Sequence, residues 1–128
     1  MTNHYQQELV NYWFRKADES LQSAKSEFQE ARLNFAVNRL YYAMFYSVTA
    51  LLMAKGVNLS KHTAIRAAFH RDFIHTNLIE KVFGKLYDEL FHARHQGDYM
   101  PMITFEAEIV KQQINDLERG MPVSLAAS

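Results

Sequence analysis

The sequence has no cysteine, and its 128 residues include only four glycines and two prolines. Without cysteine the chain cannot form disulfide bonds, iron–sulfur clusters, thiolate zinc sites or a cysteine nucleophile. Because glycine and proline interrupt regular structure, their scarcity leaves few places where a helix must end. The lack of cysteine is consistent with a reducing compartment, and we expect a cytoplasmic protein.

Neither positive nor negative charge is in excess, because 14 basic residues balance 14 acidic ones. No overall positive field is available to hold nucleic acid, so any RNA contact requires a local patch. The chain begins without a basic and apolar leader, and its most apolar run, Ala43 to Ala54, is too short to cross a bilayer. These features predict a soluble single domain over residues 1–120 and a mobile tail from Met121 to Ser128.

What the sequence does have is a helical pattern of apolar residues. No period-two run is long enough for a strand, whereas apolar residues recur at steps of three and four. The pattern predicts helices from about Gln7 to Glu30, Phe35 to Lys55, Asn77 to His95 and Thr104 onward, with a short helix capped by Ser60 between the second and the fourth. The expected fold is therefore all-α, an up-down bundle of four to five helices that includes this short extra helix. Its predicted core includes Trp13, Leu40, Met44, Leu51, Leu86 and Leu90.

The second predicted helix is apolar on two faces. A wide face carries Leu40, Tyr41 and Met44, and a softer one carries Tyr42 and Tyr46. Such a helix is central to its bundle or lies in an oligomer interface, and we expect a two-fold symmetric homodimer. We interpret Tyr41 as a core residue, whereas Tyr42 and Tyr46 remain open between packing and base stacking.

The only locally basic stretch runs from Lys61 to His75. Lys61, Arg66, His70 and Arg71 can form a patch that faces the phosphates of RNA or of a nucleotide. The plainer interpretation is a solvated helix face.

The six histidines do not follow a metal-binding pattern. His92 and His95 are three residues apart, but neither His-Glu-x-x-His nor a repeated Glu-x-x-His occurs. We therefore expect no metal site and no cofactor.

The sharpest polar cluster is formed by Arg94, Asp98 and Tyr99. Arg94 is predicted to close the fourth helix, and Gly97 to permit a turn before Pro101. Asp98 can accept hydrogen bonds from the Arg94 guanidinium, which would make a structural clamp. In the functional alternative, Arg94 is a ligand for a phosphate or a transition state, and Tyr99 presents a hydroxyl for proton transfer or modification.

These segments together resemble the HEPN superfamily, and in particular its small stand-alone prokaryotic members. The matching residues are Ala36 to Phe45 and Ala50 to Leu52 on the second helix, then His62, Phe69 and Phe73, and finally Ala93-Arg94 leading to Gly97-Asp98-Tyr99. The combination of Tyr-Tyr-Ala-x-Phe with a downstream Arg-x-x-x-Asp-Tyr carries the resemblance.

The resemblance implies a dimeric helical bundle, partnered with a minimal nucleotidyltransferase in a toxin–antitoxin pair. Active members are metal-independent endoribonucleases with an Arg-x(4–6)-His motif, whose arginine stabilises phosphate charge and whose histidine acts on the 2′-hydroxyl. This chain has no histidine at that distance from Arg94. In related members a tyrosine just beyond the motif receives nucleotides from the partner, and Tyr99 is the position that matches.

Three functional hypotheses follow. The preferred one is a binding module that pairs with a nucleotidyltransferase and presents the Arg94–Tyr99 segment to it or to a nucleotide. The alternative is a metal-independent endoribonuclease with Arg94 as the phosphate ligand and His62, His95 or Asp98 in place of the missing histidine. The third is a purely structural helical scaffold.

Overall fold

The computed structural model describes residues 4–99 and 105–120, and for residues 95–99 it describes the backbone alone. The helices are α1 (His4–Gln29), α2 (Leu33–Ala54), α3 (His62–Phe69), which continues into a π-helical turn (His70–Ile74), α4 (Lys81–Tyr99) and α5 (Ala107–Gly120). These ranges contain no strand, so the all-helical prediction is confirmed, including the short extra helix between the second and fourth. None of the described helices is both long and apolar enough to span a bilayer. The predicted tail, Met121 to Ser128, lies outside the described residues.

α1 and α2 form an antiparallel hairpin with a tight turn where the sequence predicts one. Ala31 adopts a left-handed conformation with φ 60°, and the Arg32 amide donates to the Glu27 carbonyl at 2.9 Å. This bond satisfies a carbonyl at the end of α1, and the chain reverses within the three residues between the two helices. α2 then packs along α1 and also contacts α3, α4 and α5, which makes it the central helix.

The core forms around α2, as its two apolar faces predict. The predicted core residues Leu40, Met44, Leu86 and Leu90 are all buried. Trp13 and Leu51 are only half-buried, so the prediction of full burial is wrong for these two. On α1 the neighbouring Phe14 turns inward instead, and Trp13 lies at the rim, where its ring stacks on Tyr46 at 5.5 Å.

The predicted cap of α3 and the predicted start of α4 at Asn77 are both wrong. The residue before α3 is Lys61, and no side chain caps that helix, so Ser60 does not have the predicted role. Asn77 has φ 63°, and its amide donates to the carbonyl of Ile74 at 3.0 Å. Asparagine is suited both to helix starts and to left-handed turns, and here it lies in the turn that follows the π-helical segment, four residues before α4 begins at Lys81.

The predicted break after Arg94 is also wrong, because the α4 backbone remains helical through Gly97 to Tyr99. One glycine inside a helix costs only about 1 kcal/mol relative to alanine. Proline, which forces a stop, does not occur until position 101. Arg94 and Asp98 are therefore one helical turn apart on α4 instead of lying on either side of a turn.

Candidate functional site

A buried tyrosine on α2 contacts the first residue of α3. The hydroxyl of Tyr41 and Nδ1 of His62 are 2.8 Å apart, and the Tyr41 side chain is fully buried. Burial raises the pKa of Tyr41 to about 12, although the nearby Arg94 cation acts in the opposite direction. The hydroxyl is therefore protonated at neutral pH. It donates to Nδ1 in one imidazole tautomer and accepts from Nδ1–H in the other.

His62 is held as a neutral base. Its ring stacks on Phe45 with 4.1 Å between the ring centroids and 20° between the planes. Burial and the Arg94 charge both lower the pKa of His62 below its ordinary value. With Nδ1 bonded to Tyr41, Nε2 is the ring nitrogen that is left for a ligand.

Arg94 reaches the same place from α4. Its guanidinium carbon is 5.2 Å from the ring centroid of Tyr41 and 5.4 Å from that of Tyr42. Both distances are within the range of cation–π attraction, which holds the cation in a defined position. The structure thus brings together Arg94 and His62, two predicted site residues that are 32 positions apart in the sequence.

A second cluster of polar side chains is centred on Asp88 of α4. Asp88 Oδ1 accepts hydrogen bonds from Arg66 at 2.6 Å and from Nε2 of His70 at 2.9 Å. Burial acts to raise the pKa of Asp88, but these hydrogen bonds hold it below its usual value. The Arg66 guanidinium also lies 4.2 Å from the ring centroid of Phe91. We call the set His62, Arg66, His70, Asp88 and Arg94 the α3–α4 face.

The packing of His70 explains the glycine inside α4. A Cβ at Gly84 would lie 2.9 Å from Cε1 of His70 and 3.2 Å from a side-chain carbon of Ile74. Only glycine lets the imidazole lie this close to the α4 backbone, within reach of Asp88.

The basic stretch from Lys61 to His75 does not form one continuous surface. Arg66 and His70 face α4, where Asp88 forms an ion pair with Arg66 and accepts a hydrogen bond from His70. Arg71 is exposed and pairs with Asp72 at 2.7 and 3.0 Å. Lys61 is exposed at the start of α3.

The remaining predicted site residues are His95, Asp98 and Tyr99. Their backbone belongs to α4, and their side chains lie outside the described residues. In the part of the chain that the structure describes, no three His, Asp or Glu side chains cluster closely enough to hold a metal ion.

A pocket of 340 Å³ opens on the other side of Arg94, where α2 begins and α5 approaches. Its lining includes Asn34, Phe35 and Arg39 from α2, with Arg94 and Phe105. Arg39 was not predicted as a pocket residue, because it lies on the helix that the sequence predicts to form the core.

Two contacts of the α3–α4 face were also missed. Asp88 interrupts the apolar pattern of α4 between Tyr87 and Leu90, and an acidic residue at that place is a signal that could have been used. The bond between Tyr41 and His62 has no such signal, because it joins residues 21 positions apart through the tertiary fold.

Comparison with protein families matches residues 10–121 to the HEPN domain. A UPF0332 protein of Thermotoga maritima is 46% identical over 112 residues, which cover 88% of this chain and 85% of that protein. A Methanocaldococcus jannaschii protein named "Putative toxin MJ0142" is 33% identical over 108 residues, 84% of this chain and 73% of its own. A second protein of that organism, "Putative toxin MJ0605", is 35% identical over 83 residues, 65% of this chain and 62% of its own. The chain belongs to the HEPN domain family.

Proposed function

We propose that this protein is the HEPN component of a toxin–antitoxin type pair and that its partner is a small nucleotidyltransferase. The names of two relatives support a toxin-like role. The observation that carries the proposal is the position of Arg94, which is held against Tyr41 and Tyr42 and also lines an open pocket. Near the end of α4, this cation is placed to attract the phosphates of a nucleotide that the partner brings.

Tyr99 is the proposed acceptor of the nucleotide. Its phenol oxygen would attack the α-phosphorus of ATP in the active site of the transferase, which forms a tyrosyl phosphodiester and releases pyrophosphate. The purified pair should therefore give a gain of nucleotide mass on this chain in the presence of ATP and Mg²⁺. Tyr99→Phe should abolish the gain, whereas Tyr5→Phe, at a tyrosine that is 68% exposed on α1, should leave it intact.

The same experiment includes the outcome that contradicts the proposal. If the two proteins do not co-purify, and if no mass is gained under conditions in which the transferase is active, the pairing is wrong. A gain that persists in Tyr99→Phe would leave the pairing standing but would move the acceptor to another residue.

The homodimer is part of the proposal. Trp13, Tyr46 and Tyr42 form a continuous half-buried aromatic strip, with ring centroids 5.5 and 5.6 Å apart. A second copy that covers this strip would also place two Arg94 regions near each other. Light scattering at tens of micromolar should give a dimer, and Tyr46→Lys should shift it to a monomer, whereas Tyr5→Lys should not.

Endoribonuclease activity is a second candidate because His62 lies beside Arg94. In the tautomer whose Nδ1–H donates to the Tyr41 hydroxyl, Nε2 of the neutral imidazole can accept the proton of a 2′-hydroxyl while the adjacent arginine stabilises phosphate charge. Cleavage would resist EDTA and leave 2′,3′-cyclic phosphate ends. Arg94→Ala and His62→Ala should each lower the rate about a hundredfold or more, and His75→Ala, at an exposed histidine, should not. If the wild-type protein cleaves no RNA, this candidate is excluded.

A further inference from the structure

The pocket beside Arg94 contains a second arginine with an unusual set of partners. Nε of Arg39 donates to the Ser23 hydroxyl at 3.2 Å, and Nη1 donates to the Asn38 side-chain oxygen at 2.6 Å. Both partners are neutral, and Arg39 pairs with no carboxylate among the side chains that the structure describes, those of residues 4–94 and 105–120. A half-buried cation whose partners are all neutral retains its capacity to bind an anion.

Four other arginines show the contrast. Each of them contacts a carboxylate at 2.6 to 2.9 Å: Arg32 with Glu27, Arg66 with Asp88, Arg71 with Asp72 and Arg119 with Asp116. Arg39 differs from them because Ser23 and Asn38 fix the orientation of its guanidinium without neutralising it.

The lining of the pocket indicates what kind of anion would fit. Arg39 and Arg94 supply two guanidinium groups, and the residues identified in its lining include no acidic side chain. Asn34 adds a side-chain amide, while Phe35, which is 52% exposed, and Phe105 add aromatic rings. Guanidinium groups recognise phosphate, aromatic rings stack on bases, and 340 Å³ is in the range of small-ligand pockets.

We infer that this pocket binds a nucleoside phosphate, with Arg39 as a phosphate ligand and Phe35 as a stacking surface for the base. The inference rests on the proposed function, since a nucleoside phosphate is what a nucleotidyltransferase partner handles. It adds a binding site that the isolated chain possesses without its partner. Arg94 connects this pocket to the α3–α4 face, because its guanidinium lies against the ring of Tyr41 and the residue also lines the pocket.

Titration calorimetry of the purified full chain with AMP, ATP and inorganic phosphate tests the inference. Saturable binding of AMP or ATP is expected. Arg39→Gln should weaken it about tenfold or more, since a charge-assisted hydrogen bond is lost, and Arg39→Lys should keep part of the affinity. Phe35→Ala should weaken the binding of nucleotides but not of inorganic phosphate. Arg71→Gln removes the same charge from an exposed site outside the pocket and should have no effect.

Thermal unfolding of each variant shows that a loss of binding is not a loss of fold. If Arg39→Gln unfolds, the exposed Phe35→Ala variant still decides the question. A 5′-phosphorylated RNA oligonucleotide distinguishes the two sources of the same chemistry: tighter binding than AMP, still dependent on Arg39, assigns the pocket to the end of an RNA strand, and the reverse order assigns it to a free nucleotide.

Several outcomes would overturn the inference. They are the absence of saturable binding, equal affinity in Arg39→Gln and the wild type, and an equal loss in Arg71→Gln. Equal binding of AMP and inorganic phosphate with no effect of Phe35→Ala would overturn the assignment to a nucleoside. If nucleotide binding fails but the chain still forms a complex with its transferase and is modified, the pocket is refuted and the proposed function stands. If the chain binds the nucleotide but forms no complex with a transferase, the pocket stands and the proposed function is refuted.

Discussion

The α1–α2 hairpin and the α3–α4 face are built in different ways. In the hairpin, α1 buries Ala17, Leu21 and Ala24 against α2, and these buried contacts are apolar. On the α3–α4 face, polar and charged side chains meet, and they pair with a few specific partners such as Asp88. An apolar surface tolerates many arrangements, whereas a half-buried charge requires one particular neighbour. The hairpin therefore supplies stability, and the α3–α4 face supplies defined positions for functional groups.

The largest expected effect lies on the hairpin side of this comparison. Leu40 is fully buried at the centre of α2, and Leu40→Ala removes apolar contacts and leaves a cavity. The free energy of unfolding should fall by about 2–5 kcal/mol, measured by urea denaturation. Leu78→Ala, at a leucine that is 60% exposed, is the control and should change it by less than about 0.5 kcal/mol. Similar losses at both positions would contradict the packing described for α2.

A smaller effect is expected where the two regions meet. Tyr41→Phe keeps the buried ring but removes the hydroxyl that contacts Nδ1 of His62. One hydrogen bond of this type contributes about 1 kcal/mol to the free energy of unfolding. A double-mutant cycle with His62→Ala should recover a coupling energy of that size. Additive losses would show that the contact contributes nothing.

The charged part of the α3–α4 face should contribute about 1 kcal/mol or less. Asp88 is 38% exposed, so solvent weakens its pairs with Arg66 and His70. Because the pKa of Asp88 is lowered in the folded state, its contribution is present above the unfolded pKa of about 3.9 and is lost as the pH falls through the folded value. Asp88→Asn should reduce stability at pH 7 and flatten the acid side of the stability profile. Glu106→Gln, at an exposed residue, should do neither.

The smallest effect is a change in titration with little change in stability. The pKa of His62 is lowered by burial and by Arg94, so the contribution of this residue to stability is complete above about pH 6.5 and decreases as the pH falls through the folded value. Arg94→Gln removes the cation and should raise the pKa of His62 toward its ordinary value, as measured by the NMR signals of the ring protons. Arg71→Gln should leave this titration unchanged. An unchanged titration in Arg94→Gln would show that Arg94 does not act on His62.

The hairpin could be predicted from the sequence, and the polar contacts could not. Apolar steps of three and four residues identified α1, α2 and buried positions such as Leu40, since burial follows directly from helical periodicity. The same periodicity could not choose between Trp13 and Phe14, because both occupy the inner side of α1 and only packing against α2 decides which one is buried.

Errors at helix ends have a similar cause. Asparagine and glycine both favour turns, yet Asn77 lies in the turn before α4 and Gly97 continues a helix. Local preferences of about 1 kcal/mol are overridden by tertiary contacts. Arg66 and His70 were assigned to a possible phosphate patch on their own helix, because nothing local in α3 indicates that Asp88 of α4 faces them.

The close approach of His70 to Gly84 links two positions that are 14 residues apart in the sequence. An alanine at position 84 would improve the helix propensity of α4, but its methyl group would collide with the imidazole. A Gly84→Ala change therefore requires the imidazole to shift or position 70 to become smaller, and a His70→Ala change would remove the shortest of these contacts while Ile74 stays 3.2 Å away. We therefore expect substitutions at positions 70 and 84 to occur together during evolution, with the change at position 70 preceding the change of Gly84 to alanine.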